Sequence, residues 1–171
     1  MRRLCRCPGA PGVYAAGMEE VTQYLQQHGA DFSKLYLVPG WFSQNLFANW
    51  SKQFRNTKPS IITIDADVYE ACQEILQFFA DYLQPGNIIL FDDFINRYHS
   101  PEINNFGERK ALRELLAQRP DIQLMHLFPF GWHGYVFMVT SCNGVSLDNA
   151  IKEKVQALIG EPELPDYPVF Q

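Results

Sequence analysis

No apolar run in this chain approaches the roughly 20 residues that a membrane span requires. The basic start, Met1-Arg2-Arg3-Leu4-Cys5-Arg6-Cys7-Pro8, has no apolar stretch behind it, so no secretory signal is read there. Zinc spacing is missing as well. The four cysteines are Cys5, Cys7, Cys72 and Cys142, and no Cys/His pair follows Cys5-Arg6-Cys7 at zinc-finger distance. An excess of positive charge is also lacking. The net charge is −5 and the sequence pI about 5.3, which disfavours a nucleic-acid backbone or an anionic membrane as partner. Repeats and low-complexity segments do not occur. These absences leave a cytoplasmic protein with reduced thiols as the expectation.

The 171 residues, 47% hydrophobic and 19% charged, suffice for one domain with a real core. Its centre is Ser60 to Phe94. Ile61 to Ile64 and Ile88 to Phe91 are continuous β-branched-rich runs, as in parallel strands buried on both faces. Between them Ala71, Ile75, Phe78, Phe79 and Tyr82 recur at helical spacing, and Pro85-Gly86 stops the helix. This is a right-handed βαβ unit. Asp65 and the Asp92-Asp93 pair therefore share the carboxyl-terminal sheet edge, where open α/β sheets bind ligands. Carboxylates on neighbouring strands repel unless they share a proton or a cation, and hard oxygen ligands suit Mg²⁺ or Ca²⁺. The same aspartates also suit plain turn capping.

Elsewhere, Met18, Val21 and Leu25 form a helical stripe ended by Gly29. Lys34 to Val38 reads as a strand closed by Pro39-Gly40, and Leu46, Phe47, Trp50 and Phe54 as a helix. Ile95 to Asn105 is a polar loop, either a lid over the site or a solvated connection. A helix follows from Glu108. Ile122 to Phe128 and Tyr135 to Thr140 form an antiparallel hairpin across a short link that carries His133. Ser146 to Ile159 is a last helix, with Ser146 in position to cap it.

Ile64-Asp65-Ala66-Asp67-Val68-Tyr69-Glu70 and Leu83-Gln84-Pro85-Gly86-Asn87-Ile88-Ile89-Leu90-Phe91-Asp92-Asp93-Phe94 resemble the macrocin O-methyltransferase family. So do Gly12-Val13-Tyr14 with Glu19-Glu20-Val21, Val38-Pro39-Gly40-Trp41-Phe42, and Gly107-Glu108-Arg109-Lys110-Ala111. The match runs from about Gly12 to Thr140. Members are class I S-adenosylmethionine-dependent enzymes that methylate sugar hydroxyls of natural products. The resemblance implies a partial Rossmann-like α/β sheet, mostly parallel with a C-terminal antiparallel hairpin and helices on both faces. Residues 12–160 would form that domain, the C-terminal two-thirds of the family fold, between a disordered stretch at 1–11 and an extended tail at 161–171.

By the same resemblance, Asp65, Asp92 and Asp93 would hold a Mg²⁺ that chelates the acceptor hydroxyls. Asp65 would also take the proton and contact the cofactor. His133 is a second candidate base, or a surface residue. Gly40, Trp41 and Phe42 resemble the segment that closes over the adenine of S-adenosylmethionine, although Trp41 and Phe42 also suit core anchors. The chain departs from such enzymes in the grip on the cofactor: no Gly-x-Gly turn precedes the first helix, and no acid ends a second strand to bind the ribose. An enzyme acting on a small-molecule hydroxyl and a non-catalytic fragment or partner subunit both remain open. A metal-dependent hydrolase is a weaker third reading, lacking a His-rich ligand set. Exposed strand edges would also invite a homo-oligomer or a completing chain.

Overall fold

The computed structural model describes residues 16–42, 57–95 and 107–160. The chain divides into two units, residues 1–40 and 41–171. The expected helix at Leu46 to Phe54, most of the loop after Ile95, the first eleven residues and the tail lie outside the described residues.

In the first unit, α1 spans Met18–Gln27 and ends before Gly29, whose φ of 79° lies in the left-handed region that glycine enters without steric cost. The expected strand at Lys34 to Val38 does not form. The Lys34 amide closes a turn on the Asp31 carbonyl at 3.0 Å, and residues 35–39 join no ladder. An apolar run becomes a strand only when its backbone groups find a partner strand, and among the described residues none pairs with it.

The second unit holds β1 (Ile61–Ile64), α2 (Tyr69–Phe79), a 3₁₀ turn (Ala80–Tyr82), β2 (Ile88–Phe91), α3 (Gly107–Gln118), β3 (Gln123–Phe130), β4 (Gly134–Cys142), β5 (Val145–Ser146) and α4 (Asn149–Ile159). The sheet order is β1-β2-β4-β3, with β5 on β4. β1 and β2 are parallel neighbours, with Ile61 opposite Ile88 and Ile64 opposite Phe91. The β2–β4, β3–β4 and β4–β5 pairs are antiparallel. The parallel character is thus confined to β1–β2 among the described residues, since the Lys34 to Val38 segment adds no strand.

Side-chain alternation assigns the two sheet faces. Ile62, Ile64, Ile89, Phe91, Phe137 and Val139 pack with Cys72, Leu76, Leu112 and Leu115 of α2 and α3. Ile88, Leu90, Val136 and Met138 pack with Val155 and Ile159 of α4. Helices therefore cover both faces. The central strand β4 is buried along nearly its whole length, whereas β1 alternates and leaves Ile61 64% exposed. The expectation that β1 is buried on both faces fails because, at the sheet's margin, its second face has no helix over it among the described residues.

Asn87 sets the start of β2. Its side chain donates to the Pro59 carbonyl at 2.7 Å and accepts from the Gln84 amide at 2.7 Å, tying the Pro85-Gly86 turn to the approach to β1. The cap of α4 is Asp148, whose carboxylate accepts from the Ala150 amide at 2.7 Å. Ser146, the expected cap, is consumed by β5 and hydrogen-bonds Ser141. Asp148→Ala is expected to destabilise the chain by about 1 kcal/mol, measured by urea unfolding, whereas Ser146→Ala should cost a few tenths. No described helix is long and apolar enough to cross a membrane.

Candidate functional site

The site begins where β1 and β2 run out. The Asp92 amide donates to the Ile64 carbonyl at 3.0 Å, carrying the parallel ladder one residue past the strands. Asp65 and Asp92 thus leave the sheet side by side at its carboxyl-terminal edge. Past Asp65 the chain turns sharply. The Val68 amide bonds back to the Ala66 carbonyl, and Asp67 between them has φ 54°. That left-handed conformation is strained for most L-residues and is tolerated best by Asn and Asp.

The turn brings Asp67 into the cluster. Asp65, Asp67 and Asp93 each place a carboxylate oxygen within 4.8 Å of those of the other two, and all three residues are exposed. Asp92 is not among the converging three. Adjacent residues leaving a strand project to different sides, so Asp92 and Asp93 do not face the same point. The charge of Asp92 is nevertheless felt: partial burial first, then Asp92 and Asp67, hold the Asp65 carboxyl above its usual range. Asp93 is raised to about 6, chiefly by its hydrogen bond with Asp67 and then by burial and the surrounding negative charge. Two carboxylates this close share either a proton or a cation.

Glu108, in the first turn of α3, completes the arrangement from beneath. It is fully buried. One carboxylate oxygen accepts from the Ala66 amide at 3.2 Å and the other from the Asp93 amide at 3.1 Å. Burial pushes its carboxyl up to about 7 against those two bonds, which lower it. Sequence reasoning noted Glu108 only as part of a matching segment and missed this role. An acid in the first turn of a helix ordinarily serves the helix dipole, and nothing local marks it as reaching two distant amides.

The hairpin link lies at the same rim. The Ile95 amide donates to the His133 carbonyl at 3.2 Å, and Phe94 packs against Tyr135 and Phe137. The His133 ring is half-buried and Trp132 beside it is 72% exposed. Trp41 is 76% and Phe42 39% exposed, so neither is a core anchor. Gly40 has φ 120°, outside the range most L-residues adopt.

Three hard oxygen donors suit a hard divalent cation. The three carboxylates lie close enough together for one such ion to be approached by all of them. The donor for methyl transfer fits less fully: among the described residues there is no glycine-rich strand-to-helix turn to cradle it.

No protein-family model matches the chain. Over 107 residues it is 26% identical to the 8-demethyl-8-(2,3-dimethoxy-alpha-L-rhamnosyl)-tetracenomycin-C 4'-O-methyltransferase of Streptomyces olivaceus, a match covering 63% of this chain and 39% of that protein. The solved structure of the O-methyltransferase NovP aligns with a TM-score of 0.58 at 20% identity, covering 74% of this chain and 46% of that one. The chain thus spans less than half the length of either. The chain is thus similar in sequence to part of one O-methyltransferase and shares the fold of part of another.

Proposed function

We propose that this chain carries the acceptor and metal side of an O-methyltransferase of the macrocin type, which moves the methyl of S-adenosylmethionine to a hydroxyl of a sugar or related small metabolite. The observation that carries the reading is the convergence of Asp65, Asp67 and Asp93 at the carboxyl-terminal edge of β1–β2. The curated relative, whose name places its methyl group on a rhamnosyl unit, supports a sugar acceptor.

Asp65, Asp67 and Asp93 would hold the Mg²⁺, with Asp92 adding its charge nearby. When bound, the cation supplies charge that lowers the pKa of an acceptor hydroxyl and orients it. Asp65 is the proton acceptor. It stands at the exit of β1, where its carboxylate meets those of Asp67 and Asp93. His133, at the same rim, is a second proton acceptor for an acceptor molecule that enters from the hairpin side. Trp41 and Phe42, with Gly40 before them, are the proposed contacts to the donor's adenine, and the exposed indole of Trp41 is free to stack.

Calorimetric titration with Mg²⁺ and with S-adenosylmethionine, followed by a methyl-transfer assay on a rhamnosylated acceptor, tests the reading. Saturable binding of both is the expected result. Cation binding with no donor binding would favour the second reading, a non-catalytic partner subunit or fragment without cofactor affinity. Failure to bind any divalent cation would remove the central claim.

The outer edge of β1 is unpaired among the described residues and carries exposed Ile61. Such an edge favours a second copy or a completing chain. Light scattering is expected to show an assembly larger than one chain; a monodisperse monomer would count against it.

A further inference from the structure

We propose that Glu108 is a positioning residue whose buried carboxylate sets the spacing between the Asp65–Asp67 turn and Asp93, and so creates the cation site. The proposal rests on the cation reading above and extends it to a residue that does not touch the ion.

Several observations converge on Glu108. Its two oxygens are divided between the two loops, one on the Ala66 amide and one on the Asp93 amide. These are the backbone groups next to Asp65 and Asp67 on one side, and of Asp93 itself on the other. In extended chain those amides would face solvent past the end of the ladder. Here they are bridged by one side chain that water does not reach. Gly107 sits equally close, since a Cβ there would lie 3.5 Å from the Asp67 carbonyl oxygen. The helix carrying Glu108 is itself held. The Tyr69 hydroxyl donates to Glu114, Lys110 Nζ lies 4.1 Å from the Tyr69 ring centre, and Ala111, Leu112 and Leu115 are buried in the core. Glu108 is thus a strut between a fixed helix and two loop ends, rather than a flexible surface acid.

The energetics argue against a purely structural reason for an acid at this position. A buried carboxylate beside Asp65 and Asp93 adds negative charge where repulsion is already unfavourable. A neutral acceptor would bond an amide without that cost. What a carboxylate offers and an amide side chain does not is two equivalent acceptors at a fixed separation. Groups that orient metal ligands without touching the metal commonly change affinity by about 10–100-fold when removed.

The test uses Glu108→Gln, which keeps the volume but retains one acceptor, and Leu112→Ala as a control that loosens the same helix without touching either loop. Mn²⁺ affinity is read by electron paramagnetic resonance, and exchange of the Ala66 and Asp93 amides by NMR. Glu108→Gln is expected to weaken Mn²⁺ binding at least about tenfold and to speed exchange at one or both amides, with Leu112→Ala close to the parent in both. Equal Mn²⁺ affinity in Glu108→Gln and the parent overturns the proposal, as does an equal loss in both variants. If the parent binds no Mn²⁺, the cation reading falls on its own. Exchange then decides the strut: selective loss at those amides in Glu108→Gln sustains it, and unchanged exchange ends it.

Discussion

Asp93→Asn is expected to make the protein more stable and less able to bind a divalent cation at the same time. In the native state the Asp93 carboxyl titrates near 6, so at pH 7.5 it is ionised against the opposition of Asp67, Asp65 and Asp92. An asparagine cannot ionise, and its amide can donate to the Asp67 carboxylate where the protonated acid would have donated. Asp93 is exposed, so solvent screens much of the repulsion and the gain is about 1 kcal/mol. That corresponds to roughly 2–4 °C in thermal midpoint for a chain of this size. Cation affinity should move the other way by at least about tenfold, because one of the three proposed anionic ligands would be lost. Sites that hold like charges together for function sacrifice stability for it. Scanning calorimetry and Mn²⁺ titration on one sample check both signs. A variant that melts lower and binds equally well would show that the three carboxylates form no site.

Mild acidification should stabilise the metal-free protein. Glu108 is raised to about 7, Asp93 to about 6, and Asp65 lies above its ordinary value. Each folded-state pKa exceeds the unfolded value near 4, so between about pH 4 and 7 the native state binds more protons than the unfolded chain. Stability from these groups is fully present below that window and is lost as pH rises through it. Fully buried Glu108 contributes most, of the order of 2 kcal/mol. The thermal midpoint at pH 5 should therefore exceed that at pH 7.5 by roughly 4 °C or more. Asp121 acts in the opposite sense. Arg119 and the Asn143 amide hold it down to about 2, so its contribution falls away only below about pH 4. Burial holds the His126 imidazole below its usual range, so it offsets part of the gain below about pH 6.5. Saturating Mg²⁺ should raise the midpoint at pH 7.5 and matter less at pH 5, where protons already occupy the site. A midpoint that climbs steadily from pH 5 to 7.5 without metal would contradict the assignment.

Much of the fold was legible in the chain because its signals are local. The Ile61 to Ile64 and Ile88 to Phe91 runs, the apolar spacing of α2 and the Pro85-Gly86 turn each act within a few residues. Together they specify a parallel pair with acids at its carboxyl-terminal end, and the structure has it. The hairpin of β3 and β4 was legible for the same reason. The Lys34 to Val38 run carries a similar local signal and still makes no strand, because strand formation is decided by a partner elsewhere.

The amino-acid sequence by itself determined that aspartates stand at the exits of two adjacent strands. Tertiary structure alone decided which of them meet. Asp67 joins the cluster through a left-handed turn, while Asp92, next to Asp93 in sequence, does not. Glu108 reaches amides 42 and 15 residues away because helix docking places it beneath both loops. Strand ends are set by short-range pattern, whereas the meeting of charged side chains depends on backbone handedness and on packing between segments far apart in the chain.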